Sequence, residues 1–369
     1  MSELKVLPRK GKAFFCEILT SDLYTAIFLA ILFVVIGVVL GYENNKVVPT
    51  NSLSIVHYYE APHNPLSFLA EWDGPDYLAI SRFGYTSLVQ TNFFPLYPLL
   101  VRIVTVVARS ALNSALLVSW VALVGALFYY LKIAKRLFHI HHNNEAIRSV
   151  LLFLLFPSSV FLLATYTESL FAFLALGSIY AALNKRWLLT GSFGFLATLT
   201  HINGVFLIVL TSLILLEEGA KLKEIVQSTL VSIMGLVVYM AYLLGKFHKP
   251  LAFVTAQRQH GWLQSHYLNL IGELNLISIC LIFLIVVGIF YWWKIRKSFS
   301  LYLICYLLIL LIGAQVGGFN RYVLMAFPVQ FMLYDWTRNR PALYAGVLAV
   351  SAVLSAHFLF QYAGGYIGG

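Results

Sequence analysis

The chain is expected to fold as an all-α, polytopic helical membrane protein, and three observations carry that expectation. Of its 369 residues, 60% are hydrophobic and only 11% are charged, with a mean hydropathy of +0.82. Runs such as residues 26–40 and 276–287 hold no charge, and a helix that crosses a bilayer needs roughly 20 apolar residues. The apolar residues come in continuous runs, not in the short alternating segments of a membrane barrel. Length allows about 11 spans in a single transmembrane domain covering residues 1–369.

The N-terminus, residues 1–23, carries Lys5, Arg9, Lys10 and Lys12 ahead of an apolar run too long for a signal-peptide core. It reads as an uncleaved anchor that starts in the cytoplasm. The first span is expected at 24–41, followed by a long polar and aromatic loop at 42–113. Further spans are expected at 115–131, 150–165, 169–183, 188–200, 204–216, 225–244, 268–292, 301–316, 322–334 and 343–360. Those at 188–200 and 322–334 are short and need shielding by neighbouring helices, because unpaired backbone is costly in lipid. Within the long loop, Asn92-Phe93-Phe94-Pro95-Leu96-Tyr97-Pro98 reads as the start of an interfacial or short entering helix, with prolines suited to a first turn.

This arrangement puts seventeen of the 25 basic residues on the cytoplasmic side and eight on the other, as the positive-inside rule requires. The net charge of +10 therefore reports topology and not a nucleic-acid surface. Cys16, Cys280 and Cys305 have no CxxC spacing, and neither a disulfide framework nor a metal site is expected. His139, His141 and His142 sit beside Lys135 and Arg136 on the inner side and read as a solvated loop. Arg102 and Arg109 read as membrane-surface anchors.

Four polar clusters fall on the outer face. The first is Ala70-Glu71-Trp72-Asp73-Gly74-Pro75-Asp76-Tyr77 with the following Phe93 to Pro98. The others are Tyr166-Thr167-Glu168-Ser169, residues 250–262 with Gln257, Arg258, His260 and Trp262, and Phe319-Asn320-Arg321-Tyr322. Convergence of polar groups on one membrane face is what an extracytoplasmic site needs. Two readings of Asp73 stand open. Asp73-Gly74-Pro75-Asp76 has the pattern of a helix start, with Asp73 as N-cap and Asp76 near the positive dipole end; the same carboxylates also suit a catalytic site. Thr165 and Glu168 have capping-box spacing. Arg321, between apolar runs, suits either a snorkelling role or paired hydrogen bonds to a lipid phosphate.

Trp72-Asp73, Tyr77-Leu78-Ala79-Ile80, Gly84-Tyr85 and Phe93-Phe94-Pro95-Leu96-Tyr97-Pro98-Leu99 resemble the signature of the GPI mannosyltransferase II family and its prokaryotic relatives. Phe156-Pro157-Ser158-Ser159, Tyr166-Thr167-Glu168-Ser169, Asn203-Gly204, Pro250 to Phe253 with Gln257 and Trp262, and Arg321-Tyr322 continue the resemblance in order over about residues 70 to 330. It departs at His201-Ile202-Asn203-Gly204, where an arginine is expected before Asn-Gly.

The resemblance implies a GT-C-type glycosyltransferase with its catalytic loop after the first span. Such an enzyme moves a sugar, here by analogy mannose, from a polyprenyl-phosphate carrier to an acceptor hydroxyl, with inversion. An inverting transfer needs a base and cations for the departing phosphate. Asp73 is the candidate base. Arg321 is the first candidate for the phosphate, with Arg258, His260 and His201 as secondary ones. Asp76, Glu168, Gln257, Trp72, Tyr77, Tyr97, Trp262 and Tyr322 are candidates for binding or orienting the substrates. No cofactor or metal is expected, since the donor already carries its leaving group. The expected partners are the lipid-linked sugar, an unidentified glycan, lipid or protein acceptor, and membrane lipids. For a prokaryotic source the expected location is the cell membrane, with the N-terminus in the cytoplasm and the site outside. The competing readings are a lipid or solute transporter, and a carrier-lipid-binding protein without catalysis; neither an internal repeat nor mid-membrane charges favour the transporter.

Overall fold

The computed structural model describes residues 9–47, 64–259, 276–312 and 321–365, and every regular element among them is helical. The helices are α1 (Arg9–Val47), α2 (Gly74–Phe83), α3 (Leu96–Ala108), α4 (Ala111–Phe138), α5 (Asn143–Leu154), α6 (Glu168–Leu183) and α7 (Trp187–Thr200). They continue with α8 (Gly204–Glu217), α9 (Leu222–Phe247), α10 (Ala252–Gln259), α11 (Leu276–Ile295), α12 (Lys297–Ile312), α13 (Phe327–Thr337) and α14 (Pro341–Ala363).

Among the described residues five helical segments are long and apolar enough to cross a bilayer: Ser21–Asn45 of α1, α4, α9, α11 and α14. Helices α3, α6, α7, α8 and the Lys297–Leu308 part of α12 are apolar but shorter. Two expected spans are not single helices. The run at 150–165 breaks after α5, where Pro157 cannot continue the hydrogen-bond ladder, and a 3-10 turn, Ser159–Leu162, follows. The run at 322–334 also breaks, and α13 starts only at Phe327 with Pro328 in its first turn. Ser158, Ser159, Leu162, Leu324 and Gln330 are fully buried, so this irregular backbone is sheltered by protein, where it is tolerated.

The expected loop at 42–113 contains the two helices that its proline-bearing segments announce. Residues 42–47 extend α1, residues 48–63 lie outside the described residues, and the remainder holds α2 and α3. Helix α6 packs on α4, and α7 packs on α9. A Cβ on Gly235 would stand 2.2 Å from Phe195 O, so only glycine permits that helix crossing.

Polar groups gather at the two ends of α4. At its C-terminal end Asp22 of α1 is buried between Lys132 at 2.7 Å and Lys135 at 2.5 Å. Towards its N-terminal end, Ser119 Oγ donates to Ala164 O or Tyr166 O, and Trp120 Nε1 donates to Leu163 O at 3.0 Å. Thirteen helical residues, about 20 Å, separate Ser119 from Lys132. The second end carries the candidate site.

Candidate active site

Asp73 occupies the N-cap position of α2, and its side chain makes no capping hydrogen bond. The carboxylate instead meets Arg321, with Asp73 Oδ2 2.5 Å from Arg321 Nη1. The purely structural reading of Asp73 as a helix cap is thereby corrected: the carboxylate pairs with the full charge of the guanidinium, and Pro75, in the first turn of α2, has no N–H to offer it. Gly74 lets α2 begin there. A Cβ at that position would lie 2.4 Å from Thr165 Oγ1, so glycine brings the start of α2 against the segment that leads to Glu168.

Glu168 opens α6. Its Oε1 lies 3.1 Å from Arg321 Nε, a charge contact without hydrogen-bond alignment. The capping-box reading of Thr165 and Glu168 does not hold, because the N-cap is Thr167 and no side chain caps the helix. Thr165 Oγ1 and Glu168 Oε2 are buried without a hydrogen-bond partner among the described residues. Arg321 is 8% exposed and Glu168 4%, against 24% for Asp73. Snorkelling is therefore not the role of Arg321: it lies inside the protein, and Asp73 is the member of the trio that faces outward.

The guanidinium is enclosed on its faces as well. Its carbon lies 5.3 Å from the Tyr166 ring centroid and 4.9 Å from that of Tyr322, and Nη2 donates to Tyr322 Oη at 3.0 Å. One arginine then faces two carboxylates. Burial, and next the Asp73 charge, outweigh Arg321 and push the Glu168 pKa up to about 7. Burial and the charge of Asp73 likewise raise Asp76 to about 6, partly countered by a hydrogen bond from Gln90. Carboxyls raised by burial and by a neighbouring charge cluster at functional sites.

Two tyrosine hydroxyls hold the backbone beneath Asp73. Tyr166 Oη accepts from Asp73 N at 3.1 Å and donates to Glu71 O. Tyr362 Oη, from the end of α14, accepts from Glu71 N at 3.1 Å and donates to Glu71 O or Leu69 O. Between them Trp72 adopts a left-handed backbone with φ +56° and is 47% exposed. Such a conformation costs a non-glycine residue of order 1 kcal/mol or more and persists because both flanking residues are pinned.

A second relay positions Arg321 itself. Asn203 Nδ2 donates to Tyr306 Oη at 3.2 Å, and Tyr306 Oη donates to Tyr322 O. His201 lies between α7 and α8, its ring 5.6 Å from that of Tyr322, with Nδ1 accepting from Asn203 N. Burial, followed by the Arg321 charge, pushes its pKa down to about 3, which favours the neutral ring beside the guanidinium.

The remaining expected residues divide. Tyr77 is buried with its ring 5.2 Å from Tyr97 and 6.3 Å from Tyr166. Tyr97 turns its hydroxyl to Ala115 O and Ser119 Oγ; it ties α3 to α4 instead of facing the ion trio. Gln257 and exposed Arg258 lie on α10, which packs on the Val89–Asn92 turn; among the described residues no ion pair joins Arg258 to the trio. His260 and Trp262 lie outside the described residues. Tyr362 and Tyr306 went unnoticed in the sequence, where their one signal is a hydroxyl-bearing ring inside an apolar run, which needs a partner once buried.

The profile of the family described as Mannosyltransferase (PIG-V) matches residues 25–269, a stretch that includes Asp73 and Glu168 and ends before Arg321. The chain is similar to GPI alpha-1,6-mannosyltransferase 2 of Rattus norvegicus, with 37% identity over 125 residues, 31% of this chain and 25% of that protein. The corresponding protein of Homo sapiens is 34% identical over 125 residues, again 31% and 25%. GPI mannosyltransferase 2 of Drosophila pseudoobscura pseudoobscura is 33% identical over 118 residues, 29% and 26%. The chain spans about a quarter of the length of the relatives it matches. No solved structure matches.

Proposed function

The chain belongs to the mannosyltransferase (PIG-V) family, and on that premise we propose that it transfers a mannosyl residue from a polyprenyl-phosphate carrier to an acceptor hydroxyl, with inversion at the anomeric carbon. The observation that carries this reading is the trio itself: an outward-facing carboxylate, Asp73, held 2.5 Å from a buried arginine, with a second, more deeply buried carboxyl behind it.

In the reaction the acceptor oxygen bonds to C1 of the sugar while the bond from C1 to the phosphate oxygen breaks. The phosphate leaves with the electron pair, and Asp73 takes the acceptor's proton. A general base of this kind contributes typically ~10²–10⁴ in rate. Arg321 holds the phosphate, where charge accumulates, by the planar fork that suits phosphate oxygens. Glu168, still half protonated near pH 7, is placed to bond sugar hydroxyls as donor or acceptor, and Thr165 Oγ1 beside it has a bond to offer. The exposed Trp72 ring gives the sugar an apolar face to rest on. Asp76, Gln257 and Arg258 lie further out and contribute to the acceptor's surroundings.

The bias of basic residues towards one set of helix ends supports a site on the extracytoplasmic side of the membrane. The test is to incubate the purified protein with polyprenyl-phosphate-[14C]mannose and candidate acceptors. Transfer of label to an acceptor is the expected result. Retention of all label on the carrier, across glycan, lipid and protein acceptors, contradicts the reading.

A further inference from the structure

The free protein binds its own base to its phosphate ligand. Arg321 is enclosed, with its side chain only 8% exposed: Nη1 faces Asp73, Nη2 donates to Tyr322 Oη, Nε faces Glu168, and the Tyr166 and Tyr322 rings lie against its faces. A ligand phosphate reaches this guanidinium only by displacing a partner. Glu168 is almost fully buried, and Tyr322 is the adjacent residue in the chain. Asp73 is the outward-facing partner, so its place at Nη1 is the one open to exchange.

Resting on the proposed transfer from a lipid phosphate, we infer that the donor's phosphate and the Asp73 carboxylate compete for Arg321, so that donor binding is what releases the base. Before the donor arrives, Asp73 Oδ2 is held at Arg321 Nη1 and turned away from the acceptor side. Once phosphate oxygens hold Nη1, the carboxylate turns away to the acceptor side. The movement needs only side-chain rotation, because Tyr166 and Tyr362 pin the backbone on either side of Trp72. It breaks no helix cap, since Asp73 caps nothing. Charge favours it too: a single guanidinium already faces two carboxyls, burial and the Asp73 charge raise Glu168 to about 7, and a further anion at the same guanidinium is costly unless Asp73 withdraws. The consequences are a compulsory order, donor before acceptor, and no acceptor activation by the empty enzyme. The released carrier phosphate, which bears more charge than the diester donor, should hold the exchanged state until it leaves.

The experiment measures equilibrium binding of farnesyl phosphate to detergent-solubilised wild type and to Asp73→Asn and Asp73→Ser, each first checked by its unfolding midpoint. Both variants keep Arg321 matched one-to-one with Glu168, so the ion cluster stays balanced. Removal of the competitor should tighten binding about 10-fold in both. Equal or weaker binding by the folded variants overturns the exchange and leaves the transfer reading intact. Failure of folded wild type to bind farnesyl phosphate at all overturns the transfer reading, and with it this inference.

Discussion

Arg321 Nη1 lies 2.5 Å from Asp73 Oδ2 across 248 positions of chain, and that contact joins the two ends of the sequence at one site. It assigns the carboxylate to an ion pair and leaves the start of α2 without its side-chain cap.

Arg321→Lys should keep the charge and lose the fork. A compact ammonium cannot face Glu168 and a phosphate in the same plane. The expected outcome is a rise of about 10-fold or more in KM for the lipid-phosphate donor. Arg321→Ala leaves two carboxyls facing each other in a buried place, and a broken buried pair costs about 3–5 kcal/mol; its unfolding midpoint should fall well below that of the lysine variant. An unchanged donor KM in Arg321→Lys argues against a phosphate role.

The raised carboxyls set a pH dependence of stability. Between 4.5, the ordinary value for glutamate, and about 7 the folded protein keeps a proton on Glu168 that the unfolded chain has lost. Stability therefore falls as pH rises through that window and levels off above it. Asp76 acts in the same direction between 3.8 and about 6. Glu168→Gln should flatten the upper part of the profile, which thermal unfolding in detergent at a series of pH values reads directly. A profile in that variant identical to wild type removes Glu168 as the titrating group.

Tyr362→Phe deletes one hydroxyl and leaves the ring. The lost hydrogen bonds cost about 1 kcal/mol, and the Glu71–Asp73 backbone becomes free to shift. We expect kcat to drop several-fold with donor KM unchanged, because Arg321 is held by a separate relay through Asn203 and Tyr306. A rise in KM alone would place Tyr362 on the donor side instead.

Trp72 separates strain from contact. Glycine accepts φ +56° freely and alanine does not, so Trp72→Gly should be more stable than Trp72→Ala by about 1 kcal/mol. Both lose the exposed ring and should lose sugar affinity equally. A large difference in KM between them would show that the backbone, not the indole, supports the substrate.

Much of this site is legible in the sequence because charge is scarce there. Glu168 and Arg321 stand out as isolated charges beside apolar runs, Asp73 stands out within a short carboxylate cluster, and the ordered family motifs pick out the same segments. Their mutual pairing is not legible, since neither hydropathy nor spacing relates positions 248 apart. The helix start at Gly74 is correctly signalled by Asp73-Gly74-Pro75-Asp76, but local pattern cannot reveal that a distant guanidinium takes the capping carboxylate. The breaks at Pro157 and before Phe327 escape a hydropathy reading because the sheltered turns are as apolar as the helices beside them. Tyr306 and Tyr362 escape it because a single hydroxyl hardly alters a run of leucines and phenylalanines.

The central claim is that Asp73 is the base, and its most direct test is the transfer rate of Asp73→Asn with polyprenyl-phosphate-mannose at saturating donor. Asparagine preserves shape and removes proton affinity. A loss of ~10²–10⁴ in kcat, with donor still bound and the unfolding midpoint maintained, is the predicted result. A folded Asp73→Asn protein that transfers mannose at the wild-type rate would contradict it.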